Sequence, residues 1–203
     1  MAGQPIIARR VVVLGASAGG VEALSTVVSG FPDDLPAAVL VVLHVAAKGT
    51  SVLPDILSRR GPLPATHAVD GERLYCGRIY VAPPDRHITV DRGAVRLSPG
   101  PKDNGVRPSI DTLFRSAANA FGPDVVAAVL TGTLDDGTAG LIAVTNGGGI
   151  TIAQDPEDAA FPGMPASAVR VARPDFVLPA ADIAAAVVRA VLGDPTAHAA
   201  PRG

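Results

Sequence analysis

The chain has 203 residues, of which 48% are hydrophobic and 3% aromatic, with no Trp and a formal net charge of -2. That length suits one substantial core rather than two domains, and the apolar share excludes a disordered chain. The charge leaves no basic footprint for nucleic acid, and a single cysteine, Cys76, without zinc-like Cys/His spacing gives neither an internal disulfide nor a metal site.

In chain order, Met1 to Arg10 lacks the long apolar segment of a signal peptide, and no apolar run approaches the roughly 18 residues of a membrane span. A soluble cytoplasmic protein without membrane insertion is expected. Val11–Leu14 reads as a buried strand and runs into Gly15-Ala16-Ser17-Ala18-Gly19-Gly20, followed by a helical pattern over Val21–Val28. Ala38–Leu43 is a second strand, ending at His44, and Ser51–Arg59 a second helix. From Arg78 to Ser98 the texture changes. Ile79–Val81, Ile88–Val90 and Val95–Leu97 are short and separated by turn residues, which predicts an antiparallel insertion. Pro99–Pro108 is a polar loop. Ser109 then stands as an N-cap for a helix to Phe121, with Ile110, Leu113 and Ala117 on one face.

Val125–Thr131 is the next strand, with Asp135-Asp136 after it and a helix over Gly137–Thr145. Ile150–Ala153 and the short Phe176–Leu178 are strands, and Ala181–Leu192 closes the fold with Gly193 as a stop. The tail Asp194–Gly203 is Pro/Ala-rich and expected to fray. Branched apolar runs with little polar alternation suit a parallel sheet covered on both faces. The alternation of strands and helices predicts a single three-layer, doubly wound α/β domain over 1–193, with a mostly parallel sheet and a small antiparallel hairpin insertion.

Functional groups in such folds gather outside the carboxyl ends of the strands. Ser17, His44 and the Asp135-Asp136 pair all fall there. Gly15-Ala16-Ser17-Ala18-Gly19 has the Gly-x-Ser-x-Gly spacing of a nucleophile elbow, where a sharp turn exposes one hydroxyl. Hydroxyl, imidazole and carboxylate are the set that acyl-bond hydrolysis needs. Each has a plainer alternative: a helix cap or phosphate turn for Ser17, a core histidine for His44, a cap for either aspartate. His67 and His87 fall in the hairpin region and His198 in the tail, which makes them weaker candidates. A dinucleotide site fits poorly, because the turn lacks the second glycine of G-x-G-x-x-G and the second strand ends in His44 rather than an acid.

Leu14-Gly15-Ala16-Ser17-Ala18-Gly19-Gly20-Val21-Glu22-Ala23 resembles the opening of the catalytic domain of the bacterial chemotaxis methylesterases, the CheB family. Asp70-Gly71-Glu72, Ile79-Tyr80-Val81-Ala82-Pro83, Arg107-Pro108-Ser109-Ile110-Asp111 and Leu130-Thr131-Gly132 follow in the family's order. Asp136-Gly137-Thr138-Ala139-Gly140, Ile152-Ala153-Gln154-Asp155 and Gly163-Met164-Pro165 extend the match to nearly the whole chain. The resemblance implies hydrolysis of glutamate γ-methyl esters on chemoreceptor-type proteins, with release of methanol, and in some members deamidation of glutamine. It implies Ser17 as nucleophile, His44 as base then acid, and Asp136 as orienting carboxylate, with no metal or cofactor. Backbone N–H groups near Ala18 and Thr133 are the implied oxyanion donors.

Thr133, Leu134, Ala18 and Asp135 depart from residues frequent in the family, and so does Val45-Ala46-Ala47 after His44. Arg107 and the Pro99–Pro108 loop are candidate contacts to a methylated receptor. Chemotaxis members carry an N-terminal receiver domain, for which Ser17 stands too near Met1. The expectation is a stand-alone domain that is constitutively open, controlled by a separate receiver or regulatory protein, or part of a longer protein. The competing expectations are a catalytically silent CheB-like signalling module and a nucleotide-binding domain.

Overall fold

The computed structural model describes residues 5–44 and 51–193. The expected frayed tail at 194–203 and the segment after His44 lie outside the described residues, as does His198. Strands β1 (Val11–Ala16) and β2 (Ala38–Leu43) flank helix α1 (Gly20–Ser29), and helix α2 (Leu53–Arg60) leads to β3 (Ala65–His67) and β4 (Arg78–Val81). The hairpin β5 (His87–Asp91) and β6 (Ala94–Ser98) precedes α3 (Ile110–Phe121), a 3-10 turn (Gly122–Asp124), β7 (Val125–Val129) and α4 (Thr138–Asn146). Then come β8 (Ile150–Gln154), α5 (Gly163–Ser167), a π-helical turn (Ala168–Ala172), β9 (Phe176–Leu178) and α6 (Ala180–Leu192).

Seven strands form one sheet in the order β3-β4-β2-β1-β7-β8-β9, and every pairing in it is parallel. Helices cover both faces. Val12, Leu14 and Ala16 of β1 point into the core shared with α1 and α6, whereas Val11 and Val13 point into the core under α3 and α4. Two buried faces explain why this strand shows no polar alternation.

One expectation needs correction. Of the antiparallel insertion expected over Arg78–Ser98, only β5 and β6 pair that way. Arg78–Val81 lies inside the main sheet, parallel to β2 on one side and β3 on the other. The reason is burial: Ile79, Tyr80 and Val81 are each 1% exposed, so both faces of that segment are covered. The three-residue β3 lies at the sheet edge and is too short to carry a readable period. The short α5 and the π-helical turn likewise have no counterpart among the elements expected from the chain.

The chain leaves β1 for β2 on one side, and returns to the other side of β1 with β7. That reversal opens a crevice at the carboxyl ends of β1 and β7. Gly15 lets α3 reach it. A Cβ there would overlap Ile110 Cγ2, so any larger residue would push the start of α3 away from the strand.

Candidate active site

Ser17 is the first residue after β1. Its N–H donates to Thr131 O at 3.0 Å, and Gly20 N–H returns to Ser17 O at 2.9 Å, which closes the turn into α1. His44 is the first residue after β2. Ala16 and Leu43 are register partners, and His44 N–H donates to Ala16 O at 3.1 Å. Ser17 and His44 therefore leave adjacent strands at the same level, about one strand spacing (~4.8 Å) apart. Among the described residues Ser17 Oγ has no hydrogen-bond partner.

His44 Nε2 lies 2.8 Å from Asp136 Oδ2, with the two side chains 16% and 5% exposed. Asp136 also accepts from backbone: Ile110 N–H reaches Oδ2 at 2.7 Å, and Asp111 N–H reaches Oδ1 at 3.0 Å. Ser109 Oγ lies 3.2 Å from Oδ1. These donors are the open first turn of α3, where a carboxylate also meets the positive end of the helix dipole. Burial pushes Asp136 up, but the bonds from His44, Asp111 and Ile110 outweigh it and hold the carboxyl below its ordinary value. An ionised carboxylate only accepts, so His44 Nε2 carries the proton and the lone pair of the neutral ring is on Nδ1. Nδ1 is then the nitrogen left to serve as a base.

Facing this group is a lip made of two segments. Thr131 Oγ1 donates to Ala18 O at 3.0 Å and accepts from Phe161 N–H at 2.9 Å. Gly132 N–H donates to Phe161 O, and Met164 N–H to Gly132 O, each at 2.9 Å. A Cβ on Gly132 would overlap Met164 Sδ and lie 2.8 Å from Ser17 Cβ, so this glycine brings the lip against the serine. Thr133, Leu134 and Asp135 are exposed, and Leu134 holds a positive φ of 68°. Among the described residues neither Ala18 N–H nor Thr133 N–H has a partner within the chain.

Arg107 is engaged within the molecule. Its Nε and Nη2 donate to Asp85 Oδ1 at 2.9 and 2.6 Å, and its Nη1 donates to the carbonyls of Pro99 and Gly100 at 2.9 and 2.6 Å. It ties the 99–108 loop down just before α3. His67 Nε2 bonds Ser51 O, and His87 sits under the start of α3, its Nδ1 accepting from Ser109 N–H at 3.2 Å. Ser109 caps α3 by accepting from Thr112 N–H at 3.2 Å. Thr131, Ser109 and the backbone of Ile110 and Asp111 are site residues that sequence reasoning passed over. The Ser-x-Asp helix start is visible in the chain, but not the distant carboxylate it receives.

The fold and the grouping define a doubly wound α/β protein with serine, histidine and aspartate gathered at the carboxyl edge of its sheet. The family model for CheB methylesterase matches residues 12–187. The chain belongs to the CheB methylesterase family. It is 38% identical over 191 residues to protein-glutamate methylesterase/protein-glutamine glutaminase 2 of Methanosarcina mazei, covering 90% of this chain and 52% of the relative. A relative of the same description from Anaeromyxobacter dehalogenans is 40% identical over 173 residues, covering 85% of this chain and 51% of its own length. The chain thus spans about half the length of the curated relatives it matches. The crystal structure of the Thermotoga maritima CheB methylesterase catalytic domain superimposes with a TM-score of 0.85 at 34% identity, covering 89% of this chain and 97% of that one.

Proposed function

We propose that the protein is a serine esterase that removes methyl groups from glutamate γ-methyl esters of a chemoreceptor-type protein. Ser17 Oγ attacks the ester carbonyl and gives its proton to His44 Nδ1. The imidazolium is held by Asp136 on Nε2 and returns the proton to the departing methoxide, which leaves as methanol. Water, deprotonated by the same Nδ1, then hydrolyses the acyl-enzyme and frees the glutamate carboxylate. The Ala18 and Thr133 N–H groups are the oxyanion donors in this reading, and one such donor is worth about 10²–10³ in rate.

The observation that carries the proposal is the 2.8 Å bond between Asp136 and His44 Nε2, because it fixes the tautomer whose free nitrogen the neighbouring serine needs. The relatives' description as glutaminases makes glutamine deamidation the companion activity, through the same acyl-enzyme with ammonia leaving. A cytoplasmic location, a methylated receptor-like partner and control by a separate receiver or regulatory protein belong to the same proposal. No observation favours the silent module.

Methanol release from a glutamate-methylated receptor fragment tests it, with wild type set against Ser17→Ala. The expected result is turnover that falls by about 10⁴-fold or more in the variant. Equal release from folded Ser17→Ala would overturn the assignment.

A further inference from the structure

Asp111 is a buried titratable group that this mechanism does not use. It is 1% exposed, in the first turn of α3, and its Oδ1 accepts from Gly137 N–H at 2.9 Å and Gly140 N–H at 2.6 Å. Those N–H groups are the open start of α4. Asp136, the residue just before Gly137, meanwhile places its own carboxylate on the start of α3, on the N–H groups of Ile110 and Asp111. The two aspartates exchange helices, each carboxylate capping the helix that begins beside the other. The bonds from Asp111 N–H to Asp136 Oδ1 and from Gly137 N–H to Asp111 Oδ1 close a ring in which neither carboxylate can shift alone.

We propose that Asp111 is a positioning residue for the reaction, holding Asp136 in register with His44 Nε2 by anchoring the backbone one residue beyond it. The role rests on the esterase assignment for its consequence in rate, and on the ring alone for its geometry. Helix α4 has no side-chain cap of its own at Gly137, so Asp111 supplies it. The arrangement keeps two carboxylates close together in a buried place. Burial pushes Asp111 up and the neighbouring Asp136 charge adds to this, against the Gly140 and Gly137 N–H groups and Arg115. A helix cap alone could be made by a serine or asparagine without that repulsion. What the Gly137 and Gly140 N–H groups require of residue 111 is an acceptor oxygen, not the charge.

Asp111→Ala removes the acceptor, and Asp111→Asn keeps an oxygen for Gly137 and Gly140 without the charge. The readouts are kcat and KM on the methylated fragment, and the downfield NMR signal of the His44 Nε2 proton, with folding checked by circular dichroism. Asp111→Ala is expected to lower kcat about 10- to 100-fold, as a misplacement near 1 Å does. KM should hold within about twofold, and the His44 signal should broaden through exchange. Asp111→Asn is expected to recover kcat to within about threefold and to restore the signal. A folded Asp111→Ala with wild-type kcat and a sharp signal overturns the proposal, and so does an Asn variant as impaired as Ala. Should wild type show no Ser17-dependent release, the esterase assignment fails, and the His44 signal in the two variants still decides whether Asp111 holds the Asp136–His44 bond.

Discussion

Asp135 and Asp136 are adjacent in the chain and opposite in circumstance. Asp136 is 4% exposed and is surrounded by donors from His44, Ser109, Ile110 and Asp111. Asp135 is exposed, as are Thr133 and Leu134 before it. One side of the crevice is a buried, hydrogen-bonded bed, and the other is an open lip held at Thr131 and Gly132. Proton transfer needs fixed distances, so its groups lie where the fold over-determines them. In the proposed reaction the lip admits the substrate; it is tied to the serine turn at Thr131 and Gly132, and its outer residues project into solvent. Substitutions on the bed should therefore cost rate, and those on the outer lip should cost little.

The largest effect is expected at Asp136. Asp136→Asn keeps the size but offers an amide that cannot accept at both positions, so His44 loses the partner that fixes its tautomer. A fall of about 10⁴ in kcat is expected, together with about 1–3 kcal/mol of stability as the α3 N–H groups lose a charged acceptor. Turnover and urea unfolding on one preparation measure both. Near-normal turnover would show that the bed only builds the fold.

Gly132→Ala probes a point where the lip packs directly against the serine. The new methyl would overlap Met164 Sδ and crowd Ser17 Cβ, so the lip must back away. A loss of about 1–3 kcal/mol is expected from overpacking, with about a 10- to 100-fold drop in kcat as the Thr133 N–H moves off the carbonyl oxygen. Reactive-serine labelling should slow in proportion. Full labelling and turnover would mean that the lip takes no part in binding the oxyanion.

The two aspartates of the bed should also separate by pH. Asp136 is held below its ordinary value, so its stabilising contribution is complete above that value and is lost as pH falls through the depressed one. Asp111 is held above its ordinary value, so the fold takes up its proton more readily than the unfolded chain does. Stability is expected to rise slightly as pH drops from the raised Asp111 value toward about 4, and to fall below that. Asp111→Asn should remove the rise and Asp136→Asn the fall, as seen in urea midpoints across this range. Identical pH profiles in both variants would place the acid sensitivity elsewhere.

Much of the bed's outline was legible in the chain, because the groups that end β1, β2 and β7 must share one edge of a parallel sheet. Ser17, His44 and the Asp135-Asp136 pair follow from that rule and from glycine-rich turns, and the family resemblance singles out Asp136. The rest depended on contacts between distant segments. Asp111 reads as an ordinary first-turn acid, since nothing local tells that Asp136, 25 residues on, takes its N–H. Arg107 stands in the chain as a candidate receptor contact, and its bonds to Asp85 and the loop carbonyls are not readable there. The place of Ile79–Val81 depends on distant segments too: three residues carry no period, and which strands they join is decided by the partners that bury them.

The smallest effect is expected at the outer lip, at Leu134. It is 75% exposed and sits in the left-handed region at φ 68°, where its Cβ crowds the backbone at a cost of about 1–2 kcal/mol. Its side chain is too exposed to recover that by burial. Asn tolerates the conformation, so Leu134→Asn should stabilise the fold by about 0.5–1 kcal/mol, whereas Leu134→Gly gains less because glycine frees the unfolded chain. Turnover of a small methyl ester should change by less than about twofold in either variant. Thermal denaturation gives the first number and ester kinetics the second. A Leu134→Asn protein that is less stable than wild type would mean the leucine packs against the lip in a way its exposure does not convey, and the division between fixed bed and open lip would have to move outward by one residue.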